Sequence, residues 1–174
     1  MHPRDPRRVS RTLYLIPILL LMPLALLGAA YGFGSREGGD RQRDVAQRGS
    51  RVMPFDLERT THTFTNLPTG GREVVVSDDG DAKQIRLIRS HLREESRRFA
   101  VGEFADPAAI HGDGMPGLAA LRAGADRIEF RYEEVPNGAA IEYRTAEPSM
   151  VSALHEWFAA QRSDHGKHAD HPGP

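Results

Sequence analysis

The residues from Arg127 to Thr145 have the pattern of a β-hairpin. Ile128, Phe130 and Tyr132 alternate with Arg127, Glu129, Arg131 and Glu133, the period of a half-buried strand. Pro136-Asn137-Gly138 is hairpin-turn chemistry, and Ala140 to Thr145 returns with Ile141 and Tyr143 against Glu142 and Arg144. Thr145 or Glu147 then caps a helix with Pro148 in its first turn. Met150 or Val151, Leu154, Trp157 and Phe158 make that helix's apolar side.

The same order of elements occurs earlier. Thr61 to Thr65 is β-branched and aromatic, Pro68-Thr69-Gly70-Gly71 is a turn, and Arg72 to Ser77 returns with Val74, Val75 and Val76. Asp81 caps the following helix, with Gln84 completing a capping-box-like pair. Ile85, Ile88, Leu92 and Phe99 form one helical stripe, ended by Gly102. Two such ββα segments predict an α+β fold: an antiparallel sheet of about four strands with helices on one face, built as two linked ββα units. On this alignment His91 and His155 take equivalent places, each midway along its helix.

The N-terminus limits where such a domain resides. Arg4, Arg7, Arg8 and Arg11 precede the run Leu13 to Ala30, which holds no charged residue. Basic residues before an apolar run of near-spanning length read as a signal peptide or membrane anchor over residues 1–33. Gly28 and Ala30 suit signal-peptidase cleavage after Ala30, whereas the length of the run favours a retained anchor. Either way the rest is expected on the periplasmic or extracytoplasmic side, tethered to the membrane if uncleaved. Gly34 to Arg51 has Val45 as its one large apolar residue, and residues 34–52 read as a flexible linker. Residues 53–163 make the folded domain, and 164–174 a disordered histidine-containing tail.

Composition removes several classes of function. The formal net charge is −1, so no basic excess points to nucleic acid. There is no cysteine, which excludes disulfides, thiolate metal sites and cysteine nucleophiles. No glycine-rich phosphate loop follows a strand, and Gly70-Gly71 is a turn. Ser90-His91 and Ser163-Asp164-His165 are strings rather than triads, since neighbours on a helix point about 100° apart. Glu94 and Glu95 beside His91 could serve acid–base chemistry, but charged helix faces look the same.

The histidines are the remaining chemistry. Asp106 to Gly117 connects the two halves and holds His111, Asp113 and Met115 among glycines and prolines. His91, His111 and His155, with Met115, His62 and His165 as outer candidates, could converge on a metal. His with Met suits copper, and His with Asp suits zinc or a harder ion; a haem iron is a further candidate. No His-Glu-x-x-His or His-x-x-x-His spacing within a helix supports this. The leading expectation is therefore an exported or membrane-tethered binding protein with a histidine-lined copper, zinc or haem site. One alternative is a structural or interaction domain without metal, meeting a protein partner at the membrane. Another is a metal-dependent hydrolase, so enzymatic activity is left open.

Four strings carry a resemblance: Met53 to Phe64 (MPFDLERTTHTF), Ile88 to Leu92, Asp106 to Gly117 (DPAAIHGDGMPG) and Ala153 to Phe158 (ALHEWF). Together they resemble a group of short exported bacterial proteins without an established function, over about residues 53 to 168. Some of these carry the label aspartate carbamoyltransferase. The chain does not fit that label, being far shorter than that catalytic subunit and lacking its Ser-Thr-Arg-Thr phosphate-binding segment. The resemblance implies one exported domain and supplies no mechanism.

Overall fold

A computed structural model describes residues 25–166 and 169–170. Its sheet has five strands in the order β3-β4-β2-β1-β5. β1 (Thr60–Leu67) and β2 (Gly70–Ser77) form one hairpin; β3 (Glu129–Val135) and β4 (Gly138–Arg144) form the other. The hairpins join antiparallel through β2 and β4, so four antiparallel strands stand as the alternation predicts. The fifth strand, β5 (Ala169–Asp170), lies parallel to β1.

Helices α2 (Ala82–Phe99) and α5 (Pro148–His165) cover one face. Phe64, Val75, Ile141 and Tyr143 from the sheet meet Ile88, Leu92, Phe99, Leu154, Trp157 and Phe158 from the helices in one core. Asp81 caps α2 by accepting from the N–H groups of Lys83 and Gln84. The expected capping box is not completed, because the Gln84 side chain instead accepts from Asp56 N–H. Two short helices, α3 (Ala105–His111) and α4 (Leu118–Ala123), fill the connection between the units.

The two ββα units are related more closely than their sequences indicate. Each helix packs mainly on the other unit's hairpin, α2 against β4 and β3, α5 against β1 and β2. Both helices have 18 residues. Arg89 and His155 stand at the same place along them and do the same work. Arg89 donates to the carbonyls of Gly138 and Val135, at 3.1 Å each. His155 Nε2 lies 2.9 Å from the Gly70 carbonyl and 3.1 Å from that of Leu67, and so donates. Each clamps the turn of the hairpin beneath it. The equivalent of His155 is thus Arg89, not His91 as the histidine alignment had it; His91 corresponds to Trp157.

Gly70 and Gly138 share a constraint too. A Cβ on Gly70 would lie 1.9 Å from the Tyr143 carbonyl oxygen, and one on Gly138 1.9 Å from that of Val75. Both clashes are with backbone, so no rotamer relieves them. Gly138→Ala is expected to destabilise by about 3 kcal/mol or more by parting β2 from β4. Gly114→Ala, where a Cβ meets nothing within 4 Å, is expected within about 0.5 kcal/mol of wild type. Chemical denaturation of both variants checks this; equal stabilities would mean that the β2–β4 contact yields easily.

The linker reading is corrected. Residues 34–52 belong to a helix, α1 (Ala25–Val52), that packs on the domain. Polar groups reaching carbonyls at the ends of other helices help to hold it. Arg48 Nε donates to Ile110 O of α3 at 2.5 Å, and Gln42 Nε2 to Ser163 O of α5 at 3.0 Å. Val45 is buried as well. The tail boundary also moves, since Asp164 and His165 complete α5 and Asp164 is buried. Among the described residues no helix is long and apolar enough to cross a membrane. Residues 13–24 of the apolar run lie outside the described residues.

Candidate functional site

A cavity of about 520 Å³ lies where the inner face of the sheet meets α1, α2, α3 and α5. Val45, Met53, Leu57, Phe99 and Ile110 give it apolar walls. Its polar groups come from every layer: His62 and Glu73 from the sheet, Glu95 from α2, His111 from α3, and Trp157, Gln161, Asp164 and His165 from α5. Strand alternation explains the first two. His62 pairs with Val75 and Phe64 with Glu73, so all four face the helices.

Three of the six sequence-expected ligands meet here. The His62 and His165 rings stack with centroids 4.7 Å apart, and His165 lies 5.3 Å from His111. His91 reaches the cavity only through Glu95, with Nε2 3.6 Å from Glu95 Oε2. The other two are elsewhere. His155 spends its Nε2 on the hairpin turn, and Met115 is packed in the apolar core. The copper set of His91, His111, His155 and Met115 is therefore not assembled. Nothing in the sequence marks which histidines serve carbonyls and which face a cavity.

Asp164 organises one side. Its Oδ2 lies 2.9 Å from His111 Nδ1, and its two oxygens accept from Arg41 Nε at 2.5 Å and Nη2 at 2.7 Å. Burial pushes its carboxyl up, but the hydrogen bonds from His111 and Arg41 more than offset this and hold it below the usual range. An ionised Asp164 accepts the Nδ1 proton, and in the neutral ring Nε2 is then the lone-pair nitrogen of His111. Acid–base catalysts and ligand-binding sites both orient histidine this way.

The opposite side carries two buried acids whose protonated forms are favoured. Tyr143 Oη donates to Glu73 Oε2 at 2.9 Å. Burial pushes Glu73 up to about 7, with this hydrogen bond pulling the other way. Burial raises Glu95 well above the usual carboxylate range, helped by Glu73 and Asp106 and opposed by Arg98. Burial lowers His91, with Asp106 opposing. Burial thus favours the uncharged forms of both Glu95 and His91. Trp157 is fully buried, and its Nε1–H has no hydrogen-bond partner.

Glu73 and Asp164 line the cavity without standing among the residues that the sequence pattern singles out, and Glu95 reads there as part of a charged face. Glu95 was legible, since it continues the stripe Ile88, Leu92, Phe99 at helical spacing. Glu73 alternates with Val75 in the same way on β2. No protein-family model, curated protein or solved structure matches this chain.

Proposed function

We propose that this is an exported, membrane-held binding protein whose ligand is a small, largely apolar organic molecule bearing a hydrogen-bond acceptor. The observation that carries the binding part is the buried, unpartnered N–H of Trp157, a residue that lines the cavity of about 520 Å³. Buried donors are ordinarily satisfied, so one left at a cavity wall calls for an acceptor there. The volume falls in the range of small-molecule sites, which combine apolar walls with a few placed polar groups. The acidic side chains of Glu73 and Glu95 in the lining suit an uncharged acceptor such as a carbonyl oxygen better than a carboxylate. Export and tethering rest on the basic and apolar N-terminal sequence.

Trp157 is the chain's one tryptophan, so its emission reports this cavity alone. The test titrates the full chain, in lipid nanodiscs, with a panel of small uncharged carbonyl compounds, acetophenone among them. A saturable change in emission is expected for at least one member. Val45→Phe, which fills the cavity from α1, should weaken that affinity by about tenfold, or ~1.4 kcal/mol. No response across the panel, or an equal response in Val45→Phe, would sink the proposal.

A further inference from the structure

We propose that His91, Glu95 and Asp106 form a divalent-cation site at the cavity wall. It stands independently of any organic ligand. His91 and Glu95 are one helical turn apart on α2, and Asp106 comes from the first turn of α3. Each offers one ligand atom, and the three atoms lie within 4.8 Å of one another. Ligands about 2.0–2.2 Å from one ion are themselves separated by roughly 3–4 Å. His91 Nε2 and Glu95 Oε2, 3.6 Å apart, already have that spacing, and it is too long for a hydrogen bond.

The independent observation is the state of His91. Its side chain is 9% exposed, and its Nε2 is buried without a hydrogen-bond partner. Phe55 packs across the ring, with centroids 5.6 Å apart. A buried imidazole nitrogen directed at a carboxylate, at a spacing too long for a hydrogen bond, is the arrangement of two ligands of one ion. Arg98 Nη1 lies 3.2 Å from Asp106 Oδ2, which leaves the other oxygen of that carboxylate for an ion. Arg98 would then orient Asp106 from outside the coordination shell.

One imidazole and two carboxylates suit zinc, manganese or ferrous iron. Three protein ligands also leave coordination positions for water or another small molecule. Because Glu95 lines the cavity, the ion would stand at its wall. The sequence-level preference for copper rested on methionine, and Met115 takes no part.

The experiment is calorimetric titration of the full chain with zinc chloride, on a background of His168→Gln and His171→Gln that removes tail histidines. One zinc per chain is expected. His91→Gln and Asp106→Asn should each weaken binding by about 100-fold, since loss of even an outer-shell partner costs about 10- to 100-fold. Near-ultraviolet circular dichroism verifies that each variant is folded. If one does not fold, cobalt substitution in the otherwise unchanged protein decides. A strong d–d spectrum of four- or five-coordinate cobalt supports the site, and the weak spectrum of the hydrated ion overturns it. Zinc binding that persists in His91→Gln, or vanishes in the tail background alone, also overturns it.

Discussion

Replacing Asp164 by alanine will cost about 3 kcal/mol and loosen α1 from the domain. The carboxylate joins three helices that are far apart in sequence, accepting from Arg41 of α1 and His111 of α3 while rooted in α5. The side chains of Asp164 and His111 are each 3% exposed. Removing the acceptor leaves a buried imidazole N–H unsatisfied, and breaking a buried pair costs about 3–5 kcal/mol. The lower end applies because the Arg41 side chain is 51% exposed and recovers its hydration. Asp164→Asn keeps an acceptor for His111 and should lose less. The pH sign follows from the depressed folded pKa. This stabilisation is present above the ordinary aspartate value of 3.8 and is lost as pH falls through the lower folded value. Denaturant unfolding measures the stability loss, and trypsin cleavage after Arg41, Arg43 and Arg48 reports the release of α1. A variant as stable and as resistant as wild type would show that Gln42, Val45 and Arg48 hold α1 without Asp164.

The features legible in the sequence were the local ones. Alternation around Pro136-Asn137-Gly138 placed a hairpin, and the stripe of Ile88, Leu92 and Phe99 placed a helix, because one period and one turn suffice for each. The alignment of the halves on His91 and His155 went astray because it matched residue type. Position along the helix pairs His155 with Arg89, and the physical role, donating to two turn carbonyls, is open to either side chain. For residues 34–52, low apolar content is a poor measure of order, since they belong to α1. Arg41, Gln42 and Arg48 order that helix through carboxylate and carbonyl acceptors supplied by α3 and α5, and no local count reveals such acceptors. Asp164 was assigned to a tail for the same reason, its partner His111 being 53 residues away. Glu73 and Glu95 are different, since their inward positions follow from strand and helix period. What hid them was the expectation that acids on charged segments face water.

Glu73→Gln should make the protein more stable at alkaline pH, the reverse of the usual outcome for a buried polar group. The carboxyl is pushed from 4.5 up to about 7 in the folded state. Its proton is therefore held more tightly in the folded chain than in the unfolded one, and stability falls as pH rises through this window. The contribution is fully present below about pH 4.5. It is lost on passing pH 7, and the loss amounts to about 3 kcal/mol by pH 8. Glutamine is nearly isosteric with the protonated acid and still accepts from Tyr143, so the variant should match wild type near pH 4. At pH 8 it should be more stable by about 3 kcal/mol, or on the order of 10 °C in melting temperature for a domain of this size. Glu95 and His91 also titrate abnormally, but they remain in both proteins and largely cancel in the difference. Melting curves of the two proteins from pH 4 to 8 test this. A constant difference across that range would mean that Glu73 ionises normally and that the cavity is wetter than its lining implies. A difference that grows with pH would identify Glu73 as a group that costs stability at neutral pH where it stands. That cost is what a cavity built to present polar groups to a ligand incurs, and a packed core would avoid it.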